Sequence, residues 1–475
     1  MERDTNKAEF ISAEHFALSP LDGRYAKISK ELSNYFSEYA LVKNRVKVEV
    51  CWLSFLLGYH VTSWITHQMD ISDYAKRKEL SEKVMSIYHN FSDESYARVK
   101  EIESVTNHDV KAVELFVGEK LEELGLASLV SYVHIGCTSE DITNTAYGIM
   151  ISSALKEVWI PTAEKLITEI SEIATAHATT AMLAHTHGQP ATPTTIGKEM
   201  QVYVYRMKNS LKHIKSINVC AKFNGATGNY SALSVAFPDT DWPCVSKTFV
   251  VEILGLQFNP VTTQIESHDY VCHILDGIRH FNNVLRDFDL DMWLYISKDY
   301  FKQIAVKTEV GSSTMPHKVN PIKFENSEAN IKMSNAICST ISDELPRSRL
   351  QRDLSDSSLQ RNIGIAFGYS LQSMQQTIAG LKKVEVNKGK LTSDLNSNWE
   401  VLAEPIQTVL RKYGISSAYN QLKELTRGKK ITKKVIHEFI NSLEAIPEED
   451  KAILLALKPS TYTGEASNIA KSKFD

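Results

Sequence analysis

DYVCHILDGIRHFNNVLRDFDLDMWLYISKDYFKQI, residues 269–304, carries the clearest structural signal in the chain. Apolar or aromatic side chains recur at Val271, Ile274, Ile278, Phe281, Leu285, Phe288, Met292 and Tyr295, in alternating steps of three and four. That heptad seam predicts one long helix over 269–304, packed lengthwise on other helices. Leu275, Val284 and Trp293 widen the stripe, so more than one neighbour is expected.

Three more long helices follow from similar patterns. One covers 140–177, with Leu166, Ile170, Ile173 and His177 on one face and a kink at Pro161. The others cover 194–219 and 321–344. No proline lies between Pro20 and Pro161 or between Pro260 and Pro316, which leaves room for uninterrupted helices. Period-two alternation is scarce, and NGATGNYSALSVAFPDTDWP (224–243) reads as a connector. The expected fold class is therefore all-α. Along the chain it divides into a helical N-terminal domain (1–127), a central long-helix bundle (128–381) with a distinctive loop at 311–321, and a helical C-terminal domain (382–475). Wide apolar stripes on several helices exceed what one chain can cover, so a homo-oligomer is expected.

The chain has 475 residues, 43% hydrophobic and 23% charged, as in a soluble globular protein of several domains. Its net charge of −4 gives no general footprint for nucleic acid. The opening MERDTNKAEF has no apolar core, and VCWLSFLLGYHV (50–61) is too short to span a bilayer. Six cysteines occur without a CxxC pair, which reads as reduced thiols in a cytoplasmic protein, with neither a disulfide frame nor a zinc site. No membrane partner is expected.

Several separated segments carry groups suited to anions and proton transfer. GSSTMPHKVNPIKFEN (311–326) places Ser312, Ser313, Lys318 and Asn320 ahead of a helix, with Asn320–Pro321 as a cap and first-turn pair. Free N–H groups at such an end bind anions. The same residues also read as a capped loop with incidental serines. In HTHGQPATPTTIGKEM (185–200), His185 and His187 share a face if the segment is extended. No carboxylate or cysteine at useful spacing completes a ligand set, so a metal is not indicated. TNHDVKAVE (106–114) and CTSEDITN (137–144) both fit a T-x-x-D capping box, and such helix starts also receive carboxylates or phosphates. His108 and Ser139 would then face a ligand. RSRLQRDLSDSSLQRN (347–362) clusters Arg347, Arg349, Arg352 and Arg361 among serines, either as a solvated run or as a phosphate clamp. SPLDGRY (19–25) adds Arg24 and Tyr25. No Gly-rich phosphate fingerprint is present, and the sum points to a polyanionic small molecule handled by acid–base chemistry without a cofactor.

GSSTMPHKVNP resembles the signature loop of the fumarase/aspartase superfamily. SPLDGRY, TNHDVKAVE, CTSEDITN, THGQPATPTTIGKEM, NGATGNY, TTQIESHDY, LQRDLSDSSLQRN and NWEVLAEPIQTVLRKYG together resemble the bacterial-type adenylosuccinate lyase family, from about residue 18 onward. The resemblance implies an all-α homotetramer with a pooled long-helix core and active sites built from three chains. It implies anti β-elimination of fumarate from adenylosuccinate, giving AMP, and from the succinylated ribotide SAICAR, giving AICAR. It makes Ser312 the general base and His187 the general acid, with Glu325 orienting His187. Lys318, Asn320, Thr138, Ser139 and Gln264 would bind the succinyl carboxylates. His108 would orient the substrate near its phosphate. Arg24, Tyr25, Arg352, Ser357 and Arg361 would hold phosphate and ribose. Ser313 and Asn326 would also touch substrate, and Asn107, Asp109 and Val319 complete the binding set. The alternatives are another fumarate-releasing lyase of the superfamily and a catalytically silent structural relative.

Overall fold

The computed structural model describes residues 16–58, 73–305, 314–315, 317–415, 420, 422–423 and 431–472. Ser312 and Ser313 lie outside the described residues. Helices dominate, and the strands among the described residues form four two-stranded pairs.

The 269–304 seam folds as a 29-residue helix, Asp269–Ser297. Val271, Ile274, Ile278, Phe281, Leu285, Phe288 and Met292 are buried, as are the flanking Leu275 and Val284. Trp293 is not: it stays 43% exposed. The helix stops short of the expected end because Asp299 takes a left-handed conformation (φ 61°). Phe301–Gln303 then pairs antiparallel with Val384–Val386.

The 140–177 pattern resolves into helices Ser139–Ala154 and Ile160–Ala176, joined by a π-helical turn at Leu155–Trp159. Pro161 has no N–H to give back along the helix, and the wider turn directly before it marks the expected irregularity. The other two long helices run Ile196–Ser216 and Ile322–Glu344.

Two compact units are recognised by contact. One comprises Met1–Thr162, Leu211–Asn282 and Asn330–Ser373, and the other Ala163–Ser210, Asn283–Ala329 and Met374–Asp475. These units interleave along the chain, whereas the three-part reading divides it consecutively.

In the first unit a buried polar chain pins helix register. Trp159 Nε1 donates to Ser370 Oγ (3.0 Å), and Ser370 Oγ donates to Asn282 Oδ1 (2.8 Å). Asn282 Nδ2 donates to Ser334 Oγ (3.1 Å) and Asn335 Oδ1 (3.0 Å). Buried polar groups satisfied by one another fix which layers of side chains may meet, because a slip would orphan them.

In the second unit, Thr377 Oγ1 donates to the buried Asp289 Oδ1 at 2.8 Å. Burial drives the Asp289 carboxyl well above the usual carboxylate range, against the opposing pull of the Ser327 and Thr377 hydroxyls. A raised carboxyl supports the fold fully below its unfolded-state value, and that contribution is lost as pH climbs through the folded one. Asp289→Asn keeps the shape without the ionisation. It should raise the thermal midpoint at about pH 8 and lose that advantage at about pH 4. A variant melting below the parent protein at both pH values in scanning fluorimetry would contradict this account.

Candidate active site

The first unit contains most of the expected anion-binding residues, and four of them are arranged around one buried ion pair. Lys222 Nζ lies 3.0 Å from Asp141 Oδ1, and both side chains are fully buried. The ammonium also donates to the backbone carbonyls of Gly225 (2.9 Å) and Gln264 (2.7 Å), so its three protons are used. Asp141 in turn accepts from the N–H groups of Thr138 (2.8 Å), Asn224 (2.9 Å) and Gly225 (3.1 Å). The Thr138 bond is half of the capping box expected for CTSEDITN. One carboxylate thus ties the start of helix Ser139–Ala154 to NGATGNY, while its lysine partner holds TTQIESHDY. These loops approach so closely that a Cβ on Gly228 would lie 2.3 Å from the Thr262 carbonyl oxygen. Gly228 also has φ 79°, so glycine is required there twice over.

On this frame Gln264 Nε2 donates to the Ala226 carbonyl (2.9 Å), and its Oε1 accepts from Arg352 Nη1 (3.2 Å). The other side of the Arg352 guanidinium faces Glu140, with Nη2 3.7 Å from Oε2. Thr138, Ser139, Gln264 and Arg352 are therefore brought together.

A second group is linked through Asp109. Its Oδ2 receives the buried Arg45 (2.8 Å) and Arg361 (3.3 Å). Burial pushes the Asp109 carboxyl up, but Arg45, the Val110 N–H and Arg361 together outweigh it and leave the group below its ordinary value. Arg361 Nη1 also donates to Ser357 Oγ (2.7 Å). Asp109 thus bridges the two arginines, and Ser357 with Arg361 forms one polar unit. Arg24 is exposed and Tyr25 half-buried in the turn leading into helix Ala26–Phe36.

TNHDVKAVE departs from the expected cap. Thr106 ends helix Asp93–Thr106, Asn107 takes the left-handed C-cap conformation (φ 50°), and His108 caps helix Asp109–Glu123. His108 Nδ1 accepts the Lys111 N–H at 3.1 Å. The neutral ring then carries its proton on Nε2, so an imidazole, 52% exposed, is left with a donor to offer.

In the second unit His187 and Gly188 form the two-residue turn of a hairpin between His185–Thr186 and Gln189–Pro190. Their φ values are 52° and 72°, as a type I′ turn demands, and histidine is among the non-glycine residues that tolerate this region. The expectation that His185 and His187 share an extended face fails for this reason: His187 is exposed at the tip, while His185 sits in the strand near the Tyr300 ring (6.3 Å). Burial, helped by Lys298, lowers the His185 pKa.

Lys318 and Val319 are exposed and Asn320 is partly buried. The helix begins at Ile322, one residue later than expected, with the Pro321 carbonyl as its first acceptor. Glu325, on its first turn, accepts Trp293 Nε1 at 3.2 Å, and Asn326 is partly buried.

Residue-by-residue reading of the sequence missed Glu140, His268 and Asp356, all buried within the first unit, with ligand-type atoms within 4.8 Å of one another. The available signal was a second acid inside a capping box, and a histidine between Glu266 and the long helix.

Comparison with known proteins gives the family. A family model described as lyase matches residues 23–337, and one described as adenylosuccinate lyase C-terminal matches 348–463. An adenylosuccinate lyase from Haemophilus influenzae is 48% identical over 96% of this chain and 98% of its own. The chain belongs to the adenylosuccinate lyase family. The family's enzyme from Escherichia coli K12 is 47% identical over 95% of this chain and 97% of its own. Solved structures extend the likeness at the level of fold alone. A fumarate lyase from Mesorhizobium sp. BNC1 superposes with TM-score 0.72 at 16% identity, covering 93% of this chain and 96% of that one. A 3-carboxy-cis,cis-muconate lactonizing enzyme from Pseudomonas putida gives 0.70 at 18%, covering 93% and 95%.

Removing one partner of the central ion pair strands a charge out of water. Lys222→Met should lower stability by about 3–5 kcal/mol, read by urea unfolding. A loss under about 1 kcal/mol would mean that the pair does not organise these loops.

Proposed function

We propose that this protein cleaves adenylosuccinate to AMP and fumarate, and SAICAR to AICAR and fumarate, in purine biosynthesis. The observation that carries the reading is near-half identity, over at least 95% of both chains, to relatives named adenylosuccinate lyase. The clustered Arg352, Gln264, Thr138 and Ser139 give it a chemical basis, since the substrate bears two carboxylates and a phosphate.

In this reading Ser312 removes a proton from the carbon beside one succinyl carboxylate. The released electron pair is first held as a carboxylate-stabilised carbanion. It then forms the carbon–carbon double bond as the carbon–nitrogen bond breaks. The nitrogen leaves with that bond's electrons, and His187 supplies its proton from the opposite side. Stabilising the carbanion is the largest demand. Lys318, Asn320 and the first turn of helix Ile322–Glu344 answer it with a full charge, an amide and free backbone N–H groups. A serine base needs a water-excluded, positively polarised setting. Ser313 and Asn326 also touch substrate, and Glu325 orients His187.

His108, with its Nε2 proton directed by the Lys111 cap, donates to the substrate near the phosphate. Arg24, Tyr25, Ser357 and Arg361 hold phosphate and ribose, while Asn107, Asp109 and Val319 shape the walls. The active form is a cytoplasmic homotetramer whose sites combine residues from three copies. Exposed Leu290, Trp293 and Leu294 on the central helix support a covered face in the assembly.

Purified protein should release fumarate from adenylosuccinate, followed by absorbance. Ser312→Ala should abolish turnover with substrate binding still measurable, and near-normal kcat would remove the serine from the base role. His187→Ala should lower kcat by ~10²–10⁴-fold. A drop below about tenfold would take His187 out of the acid role.

A further inference from the structure

Arg352 is held by Gln264, itself assigned to the substrate, and from behind by Glu140, which is not. Gln264 Oε1 takes one guanidinium nitrogen at 3.2 Å, and Glu140 Oε2 faces another at 3.7 Å. Glu140 is 2% exposed, and its second oxygen, Oε1, has no hydrogen-bond partner. A buried carboxylate in that state is costly unless opposite charge lies close.

His268 supplies that charge. Its Nε2 lies 3.8 Å from Asp356 Oδ2, and its Nδ1 lies 3.9 Å from Glu266 Oε2. The terminal amide of Gln360 reaches His268 Nε2 at 3.2 Å, while Gln360 Oε1 is otherwise orphaned. With that amide turned so that its oxygen meets Nε2, the oxygen accepts an Nε2–H and the orphan disappears. Burial lowers the His268 pKa, but Asp356, Glu140 and Glu266 raise it further, so the net direction is up, toward imidazolium. The backbone also bears a cost for this placement. His268 sits at φ 61°, with its N–H held by Glu266 Oε2 at 2.6 Å, directly before the long helix.

The geometry points to the buried Glu140–His268–Asp356 cluster as a positioning device that fixes the Arg352 guanidinium for an anionic group of the substrate. This rests on the assignment of Arg352 to substrate binding under the proposed function. Glu140 faces one edge of the guanidinium at 3.7 Å, His268 favours the ionised form of Glu140, and Asp356 favours the charged form of His268. Arg352 is itself 25% exposed, so its outer N–H groups remain for a ligand. A resident cation fits the cluster poorly, because Arg352 already faces Glu140 and His268 already faces Asp356 and Glu266.

The grip is sensitive to pH. Burial pushes Glu140 up to about 7, with Asp356 adding to the rise and His268, Arg352 and Lys222 opposing it. On its own helix Asp141 is committed to Lys222. Protonation of Glu140 removes the charge that holds Arg352, so KM should rise as pH falls through that region.

Steady-state kinetics on adenylosuccinate test the device. Arg352→Ala should raise KM about 100-fold, and Glu140→Gln about tenfold with kcat changed less than about threefold. Glu140→Gln should also flatten the acid-side rise in KM, which a purely structural role would leave in place. In the Arg352→Ala background, Glu140→Gln should add nothing. His268→Gln should act in the same direction as Glu140→Gln and serves if that variant fails to fold, as judged by circular dichroism. If Arg352→Ala leaves KM unchanged, the assignment of Arg352 falls and the inference with it. If Arg352→Ala raises KM but Glu140→Gln leaves KM and its pH profile unchanged, or the two effects add, only the positioning role is overturned.

Discussion

The Asp141–Lys222 pair is the constraint on which the anion-binding surface depends. A lone charge of either sign would not stay where these two lie. Together, with every ammonium proton and most carboxylate lone pairs committed, they hold the start of helix Ser139–Ala154, the NGATGNY loop and the TTQIESHDY loop in one arrangement. Such a pair need not add stability over an apolar substitute. Its use here is geometric, because it places the helix start with Thr138 and Ser139 and the TTQIESHDY loop with Gln264, all proposed to touch substrate.

Around that frame the arginines are matched to acids before any ligand arrives. Asp109 takes Arg45 and Arg361, and Glu140 takes the back of Arg352. The matching has two consequences. It lowers the repulsion among cations crowded near one site. It also fixes planar guanidinium groups in orientation, so that less side-chain freedom is lost when an anion binds. His108 follows the same logic with a backbone cap in place of an acid.

The all-helical fold was legible because heptad spacing is a strong signal, and every seam position from Val271 to Met292 is buried. The helix end was not, since a single left-handed Asp299 overrides a pattern that continues in apolar residues beyond it. Local chemistry was misread where two motifs overlap. Thr106 looked like a cap because Asp109 follows three residues later, yet the chain turns at Asn107 and gives the cap to His108. The H-x-H pair looked extended until His187–Gly188 adopted a hairpin turn. Glu140 and His268 stood inside quoted motifs and drew no notice, because burial is a tertiary fact that neither spacing nor residue type reveals. Family resemblance reached further than residue-by-residue reading, as 48% identity to a named relative shows.

The most direct measurement is a crystal structure of the Ser312→Ala variant with adenylosuccinate bound. The account predicts a substrate anion on the outer N–H groups of Arg352, Glu140 still behind it, and a succinyl carboxylate at Thr138, Ser139 and Gln264. A bound substrate that leaves Arg352 and Gln264 facing solvent would contradict it.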